Sequence, residues 1–185
     1  YAPADAELMI EGFGAAATRP VTLRANTLKA TAEDIAAALG AAGIAHNPVA
    51  WYPDAFILPE AQVSDLWDLD IYRDGKIYLQ SLSSMMPPLV LGAQAGEDIL
   101  DMCAAPGGKS SQLAAALQGR GVLVSNEYVA ARADILKSNL ERMGVPNAVV
   151  LNETPARIAA ALPEFFDRVL VDAPCSGEGM FRKEE

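Results

Sequence analysis

Four short runs of apolar residues, set between helical patterns, constrain this chain more than any other feature. They are Asp98-Ile99-Leu100-Asp101-Met102, Val122-Leu123-Val124-Ser125, Ala148-Val149-Val150-Leu151 and Arg168-Val169-Leu170-Val171-Asp172. Between them, 107–117 and 130–143 read as helices, the second closed by Gly144. Thr154 reads as the cap and Pro155 as the first residue of another, running to Leu162. A preceding helix is expected over 81–91, disturbed by Pro87-Pro88. Strands alternating with helices predict right-handed βαβ units and a parallel sheet. Ligands of such sheets sit beyond the carboxyl ends of the strands. Asp101, Glu127, Asn152 and Asp172 fall at or just past those ends.

Residues 1–78 follow another pattern and read as a small α+β module, with 79–185 as the parallel-sheet part. Val21–Arg24 reads as a strand. Thr31-Ala32-Glu33-Asp34 resembles a capping box, opening a helix that stops near Gly43. Short extended pieces are expected over 48–60. Asp70–Tyr78 reads as a hairpin turning at Asp74-Gly75. The aromatic residues of this module are expected in its core rather than as base-stacking platforms.

Composition narrows the classes. The chain has 185 residues, 51% hydrophobic and 21% charged, which suits a folded core. Its 14 Lys+Arg against 24 Asp+Glu give a net charge of −10. That argues against a protein that coats nucleic acid, and leaves room for an enzyme with a local basic groove. The two cysteines, Cys103 and Cys175, are far apart and outside any CxxC pair, so neither a disulfide framework nor a zinc site is expected. The single histidine, His46, excludes a His-cluster metal site and reads as a loop residue. No metal is expected. No apolar run reaches the length of a membrane span. Free thiols without a visible export signal predict a cytoplasmic location.

Asp101-Met102-Cys103-Ala104-Ala105-Pro106-Gly107-Gly108-Lys109-Ser110 joins the first parallel strand to its helix. Small residues let a ligand approach the backbone, and the helix start offers free N–H groups. The loop lacks the G-x-G-x-x-G spacing of a dinucleotide fold. Gly108-Lys109-Ser110 fits the end of a phosphate-binding loop, but Cys103 stands where its opening glycine belongs. A third ligand, S-adenosylmethionine, needs a small-residue loop and an acid for its ribose. Glu127, after the second strand, favours that third reading, because a carboxylate there accepts both ribose hydroxyls. Asp172-Ala173-Pro174-Cys175-Ser176-Gly177 places a carboxylate and a thiol after the fourth strand. Such a thiol suits covalent chemistry on a pyrimidine. Cys103 is read as packing.

Asp101–Ser110, together with Val171-Asp172-Ala173-Pro174-Cys175-Ser176-Gly177-Glu178-Gly179, resembles the Nol/Nop/Sun (Sun/Fmu-type) family of RNA cytosine-5 methyltransferases. Gln80–Met85 is similar to that family's lead-in helix. Arg24-Ala25-Asn26-Thr27-Leu28-Lys29 and Phe181-Arg182-Lys183 are similar to its bacterial ribosomal-RNA branch. The resemblance implies a Rossmann-like S-adenosylmethionine methyltransferase sheet, here with four of seven strands, behind the small α+β module. It implies that Cys103, Ala104, Ala105, Pro106, Gly107, Gly108 and Lys109 hold the methionine and ribose part of the cofactor. Glu127 would take the ribose hydroxyls and Asn152 or Glu153 the adenine. Asp172 would border the cofactor and hold the cytosine edge, and Cys175 would assist breakdown of a covalent adduct.

The family's nucleophile sits in a later Thr-Cys motif, which these residues lack. The expectation is therefore the front part of a longer protein, inactive alone and monomeric. Its substrate is expected to be ribosomal RNA, with transfer RNA second. A phosphate-loop NTPase and a non-catalytic RNA- or cofactor-binding module are the competing readings.

Overall fold

A computed structural model describes residues 7–8, 10–12 and 19–173. Two compact units are present, residues 1–20 with 174–185, and Val21–Ala173. In the first, the described residues 7–8 and 10–12 are helical. Cys175, Ser176 to Gly179 and Phe181-Arg182-Lys183 lie outside the described residues.

The second unit begins with an antiparallel sheet ordered β2-β3-β1-β4, built from β1 (Val21–Ala25), β2 (Asn47–Val49), β3 (Tyr52–Leu58) and β4 (Ile77–Leu79). Helix α1 (Ala32–Ala41) follows β1 and carries the expected capping box. Asp34 N donates to Thr31 Oγ1 at 3.2 Å, and Thr31 N donates to Asp34 Oδ2 at 3.0 Å. Period-two alternation sorts the β1 side chains. Leu23 and Ala25 pack in a core with Ile35, Leu39, Leu58, Leu66 and Ile77, while Arg24 points to the opposite face.

The expected hairpin over 70–78 is not formed. Two short helices, α2 (Ser64–Trp67) and α3 (Asp70–Arg73), precede β4, which pairs with β1 instead. Asp-Gly serves a helix end as well as a hairpin. Here Asp74 follows the last turn of α3, and Gly75 takes φ +67° to redirect the chain. The aromatic expectation also fails in part. Phe56 and Tyr78 are buried, but Trp51 and Trp67 are exposed.

After α4 (Leu82–Leu91), which Ser81 caps and which continues through Pro87 and Pro88, the parallel sheet begins. It contains β5 (Ile99–Asp101), β6 (Leu123–Asn126), β7 (Ala148–Leu151) and β8 (Arg168–Leu170), ordered β7-β6-β5-β8. Helices α5 (Gly108–Leu117), α6 (Ala130–Met143) and α7 (Pro155–Ala161) connect them. All four strands and all three helices stand where the alternation predicts them. β8 closes one end of this sheet, and Val169 and Val171 are exposed.

Alternation again assigns the faces. Ile99 and Leu123 pack on Leu113 and Leu117 of α5. Leu100 and Val124 pack with Ile158 of α7. Asp101 and Ser125 therefore share the α5 side with Ile99 and Leu123. From β5 the chain winds to β6 and β7, then returns to β8 on the other side of β5. The switch point of strand order thus lies at the carboxyl end of β5, where α/β folds place ligands.

Gly75 is a sharp test of the first sheet's docking. A Cβ there would lie 2.2 Å from Arg142 O, on a backbone already at positive φ. Gly75→Ala is expected to destabilise the full-length protein by at least ~2 kcal/mol. Gly40, inside α1 with open space around it, should behave oppositely. Gly40→Ala is expected to stabilise by about 0.5–1 kcal/mol. Urea denaturation midpoints at constant slope check both.

Candidate active site

Three strand ends converge on one loop. After β5 the chain runs through Met102–Pro106 and enters α5 through Gly107, whose φ is +110°. A Cβ on Gly107 would meet Leu136 Cδ1 at 3.2 Å, and one on Gly108 would meet the Tyr78 ring at 3.0 Å. The paired glycines therefore let α5 start close under both α6 and β4. The loop folds back on itself through Gly107 N, which donates to Ala104 O at 2.8 Å.

The loop is tied at several carbonyls by side chains that sequence reasoning did not single out. Asn126, buried at the end of β6, joins three strand ends. Its Nδ2 donates to Met102 O at 3.1 Å and Glu153 O at 3.0 Å, and its Oδ1 accepts from Glu153 N at 3.0 Å. Its carbonyl accepts from Ala104 N at 2.8 Å. From α6, Arg132 Nη2 donates to Ala105 O at 3.2 Å and Asn139 Nδ2 to Pro106 O at 2.7 Å. The available signal was the polar pair Ser125-Asn126 ending an otherwise apolar strand.

Glu127 follows Asn126 and is 5% exposed. Its Oε1 accepts from Val129 N at 2.9 Å, and Arg132 Nη1 lies 3.5 Å from Oε2. Asn152, just past β7, holds the same turn from outside. Its Nδ2 donates to Glu127 O at 2.7 Å and Tyr128 O at 2.8 Å. Glu153 turns its carboxylate to Arg157, 2.9 Å away.

Beneath the loop, Asp101 is fully buried. Ser110 Oγ donates to its Oδ2 at 2.7 Å and accepts from Ser125 Oγ at 2.9 Å. Among the described residues Asp101 Oδ1 has no partner in good hydrogen-bond geometry, though the Cys103 backbone N–H is near enough to pull the carboxyl down. Burial pushes the Asp101 carboxyl up to about 6, against the pull of Ser110 and Lys109. Lys109 Nζ reaches Asp172 Oδ2 at 2.5 Å, joining the α5 start to the segment after β8. Burial, with the negative charges of Asp101, Glu127 and Asp172, raises the Cys103 thiol. A protonated thiol is a poor nucleophile.

The geometry brings Cys103–Lys109, Glu127 and Asp172 to the carboxyl ends of neighbouring strands, with Asn152 and Glu153 bordering them. It also tests the phosphate-loop reading. In such a loop the lysine faces phosphate and the serine faces a magnesium ion. Here Lys109 is paired with a carboxylate, and Ser110 is sealed between Asp101 and Ser125.

The family model described as 16S rRNA methyltransferase RsmB/F matches residues 88–185. The chain belongs to that family. A second model, the ferredoxin-like domain of RsmF/B-like methyltransferases, matches residues 7–64. Among curated relatives, the Ribosomal RNA small subunit methyltransferase F of Vibrio parahaemolyticus is 42% identical over 97% of this chain and 39% of its own length. The protein of the same name from Pectobacterium carotovorum is 39% identical over 96% of this chain and 38% of its own length. The chain thus spans about two-fifths of the curated relatives it matches.

Among solved structures, a methyltransferase homolog protein from Pyrococcus horikoshii superposes with TM-score 0.78 at 33% identity, covering 90% of this chain and 54% of that one. NSun6 from the same organism shares the fold, with TM-score 0.75 at 20% identity over 86% of this chain and 65% of its own. The parallel sheet expected from the strand pattern and the Rossmann-like methyltransferase class implied by the family resemblance are both found. No described helix is long and apolar enough to cross a membrane.

Asp101 yields a signed pH prediction. Its folded-state pKa lies above the unfolded value of 3.8. The folded state therefore holds a proton more tightly between about 4 and 6, and stability falls as pH rises through that window. Above it, the ionised buried carboxylate is a standing penalty of up to ~3 kcal/mol. Asp101→Asn in the full-length protein should raise the thermal midpoint at pH 7.5 and lose that advantage near pH 4. Differential scanning calorimetry across that range checks it, and an equal gain at both pH values would contradict it.

Proposed function

We propose that this chain is the cofactor-binding part of an S-adenosylmethionine-dependent RNA methyltransferase that methylates cytosine at carbon 5. Ribosomal RNA of the small subunit is its substrate, as the names of its relatives suggest. One observation carries the reading. A buried carboxylate, Glu127, stands one strand away from a glycine loop whose Lys109 and Ser110 are already committed to carboxylates. That arrangement suits a nucleoside held by its ribose rather than a polyphosphate. We keep the division of the chain at 78/79 as a working boundary between the module and the methyltransferase part.

The residues present fit the cofactor. Asp101 Oδ1, buried without a partner in good geometry among the described residues, is a ready acceptor beneath the loop for a cationic group. Cys103, Ala104, Ala105, Pro106, Gly107, Gly108 and Lys109 supply a close backbone surface for the methionine and ribose part. Glu127 accepts from the ribose hydroxyls, a role in which charged hydrogen bonds are strong. Asn152 has its nitrogen committed to backbone carbonyls, so Oδ1 is its atom for the adenine amino group, with Glu153 alongside. When bound, S-adenosylmethionine supplies an electrophilic methyl group.

For the base, Asp172 is the acceptor at the cytosine edge, held in place by Lys109. The cytosine must leave its stack to reach this face. Cys175 is assigned the release of the covalent adduct, and neither cysteine of these residues is assigned the attack. The protein acts as a cytoplasmic monomer. Transfer RNA is the alternative substrate.

Two measurements on the full-length protein test this. Glu127→Ala should weaken S-adenosylmethionine binding by at least ~1 kcal/mol in calorimetry, the scale of a lost charged hydrogen bond. Unchanged affinity removes the ribose role. Cys175→Ala should accumulate a protease-sensitive, slow-migrating RNA band, and its absence counts against the adduct-release role.

A further inference from the structure

Arg24 is the largest fully buried side chain of the molecule's described residues, and no carboxylate pairs with it. A cation in that position is uncommon, because removing it from water is expensive without compensation. Asp54 and Tyr52 attract it from further off, and its side-chain hydrogen bonds, which leave Nη1 without a partner among the described residues, lie on one side. Nε donates to Gln80 Oε1 at 2.9 Å, and Nη2 donates to Gly108 O at 2.9 Å and Ser111 Oγ at 2.6 Å. The guanidinium also lies 5.5 Å from the Tyr78 ring centroid. Gln80 in turn donates to Gln112 Oε1 at 3.2 Å. Each of these contacts except the Tyr78 ring bears, directly or through Gln80, on the first two turns of α5. Those turns begin at the glycine loop and carry Lys109.

The rest of the Arg24-Ala25-Asn26-Thr27-Leu28-Lys29 segment behaves differently. Asn26 Nδ2 donates to Gly75 O and Met143 O, both at 2.8 Å. Lys29 Nζ donates to Asp74 O and Arg142 O, both at 2.7 Å. These bonds fasten the far end of α6, away from the loop. Arg24 alone reaches the loop side. Full burial also removes it from any contact with RNA.

We propose that Arg24 is a positioning residue: from the antiparallel sheet it sets the start of α5, and so the geometry of the cofactor loop and of Lys109. The antiparallel module is on this view part of the cofactor site's support. The inference rests on the S-adenosylmethionine reading above for its ligand, but not for its structural half.

The test uses the full-length protein with three variants, Arg24→Gln, Arg24→Lys and Lys29→Met. Calorimetric affinity for S-adenosylmethionine, thermal midpoint and hydrogen exchange over residues 104–112 are read for each. Arg24→Gln should lose about tenfold or more in affinity, with faster exchange over 104–112. Arg24→Lys should fall between it and the wild type, since ammonium reaches fewer of the acceptors. Lys29→Met should lower the thermal midpoint while affinity stays within about twofold.

Wild-type affinity in Arg24→Gln overturns the proposal. So does an equal affinity loss in Lys29→Met at an equal fall in midpoint, because that would mark general loosening. If Arg24→Gln does not fold, Ser111→Ala replaces it, with an expected loss of about threefold, and unchanged affinity again overturns the proposal. If the wild type binds no S-adenosylmethionine, the functional reading fails, and exchange over 104–112 still decides whether Arg24 orders the loop.

Discussion

The molecule depends on the burial of one polar helix start. Ser110, Ser111 and Gln112 in α5 are all nearly inaccessible, wedged between the antiparallel sheet and the parallel one. A helix usually meets its neighbours with an apolar stripe, as Leu113 and Leu117 do a turn later. Here three successive polar side chains face three directions and each must be satisfied, because an unpaired polar group in dry protein is costly. Ser110 bonds Asp101, Ser111 bonds Gly107 O and receives Arg24, and Gln112 bonds Met85 O and receives Gln80. Apolar packing of similar volume would tolerate a slide or rotation. This network has few alternative pairings, so it determines where the glycine loop begins.

The parallel half was legible because its signals are periodic. Apolar runs bounded by Gly107, Gly144 and Thr154-Pro155 leave little choice of element, and the strand ends automatically place Asp101, Glu127, Asn152 and Asp172 on one edge. The antiparallel half was less legible. Asp74-Gly75 is compatible with a hairpin and with a helix end. Burial of Ile71 and Leu66 against the first core decided for the helices. Tertiary burial of that kind has no local signature. The loop-tying role of Asn126 and the burial of Arg24 were not legible for a related reason. One polar residue in a strand looks like a solvent-facing position until the partners on either side are known, and Arg is ordinarily exposed.

The site's electrostatics explain how a chain of net charge −10 can present a face suited to a nucleotide. Acidic groups at the strand ends are not left as a bare negative surface. Lys109 covers Asp172, Arg132 stands over Glu127, and Asp101 is buried with its pKa pushed up. The carboxylates are therefore offset one by one rather than left as a summed field. Arg24 adds a buried cation behind the loop, and its pKa, lowered to about 10 by burial, still leaves it charged at neutral pH. Net charge describes the protein's long-range field, whereas recognition of a single nucleoside depends on the few groups within hydrogen-bonding reach.

The antiparallel module that precedes the methyltransferase fold covers a side of the glycine loop that the parallel strands do not hold. Loops at the carboxyl ends of parallel strands are held mainly by the strands themselves, and here Asn126, Arg132 and Asn139 secure the loop from one side only. The opposite side of the α5 start would otherwise face solvent, where water competes for Gly108 O and Ser111 Oγ. Covering it with a sheet excludes that water and strengthens each remaining bond, since hydrogen bonds in a low-dielectric interior are stronger than in solution. The gain comes with a requirement that the cover be polar at one point and apolar elsewhere. Arg24 meets it beside its cross-strand partner Ala55, on a face where Val49 and Met85 pack: one cation donating to Gly108 O and Ser111 Oγ. A module serving merely as an RNA platform would have no reason to bury its one arginine of this strand.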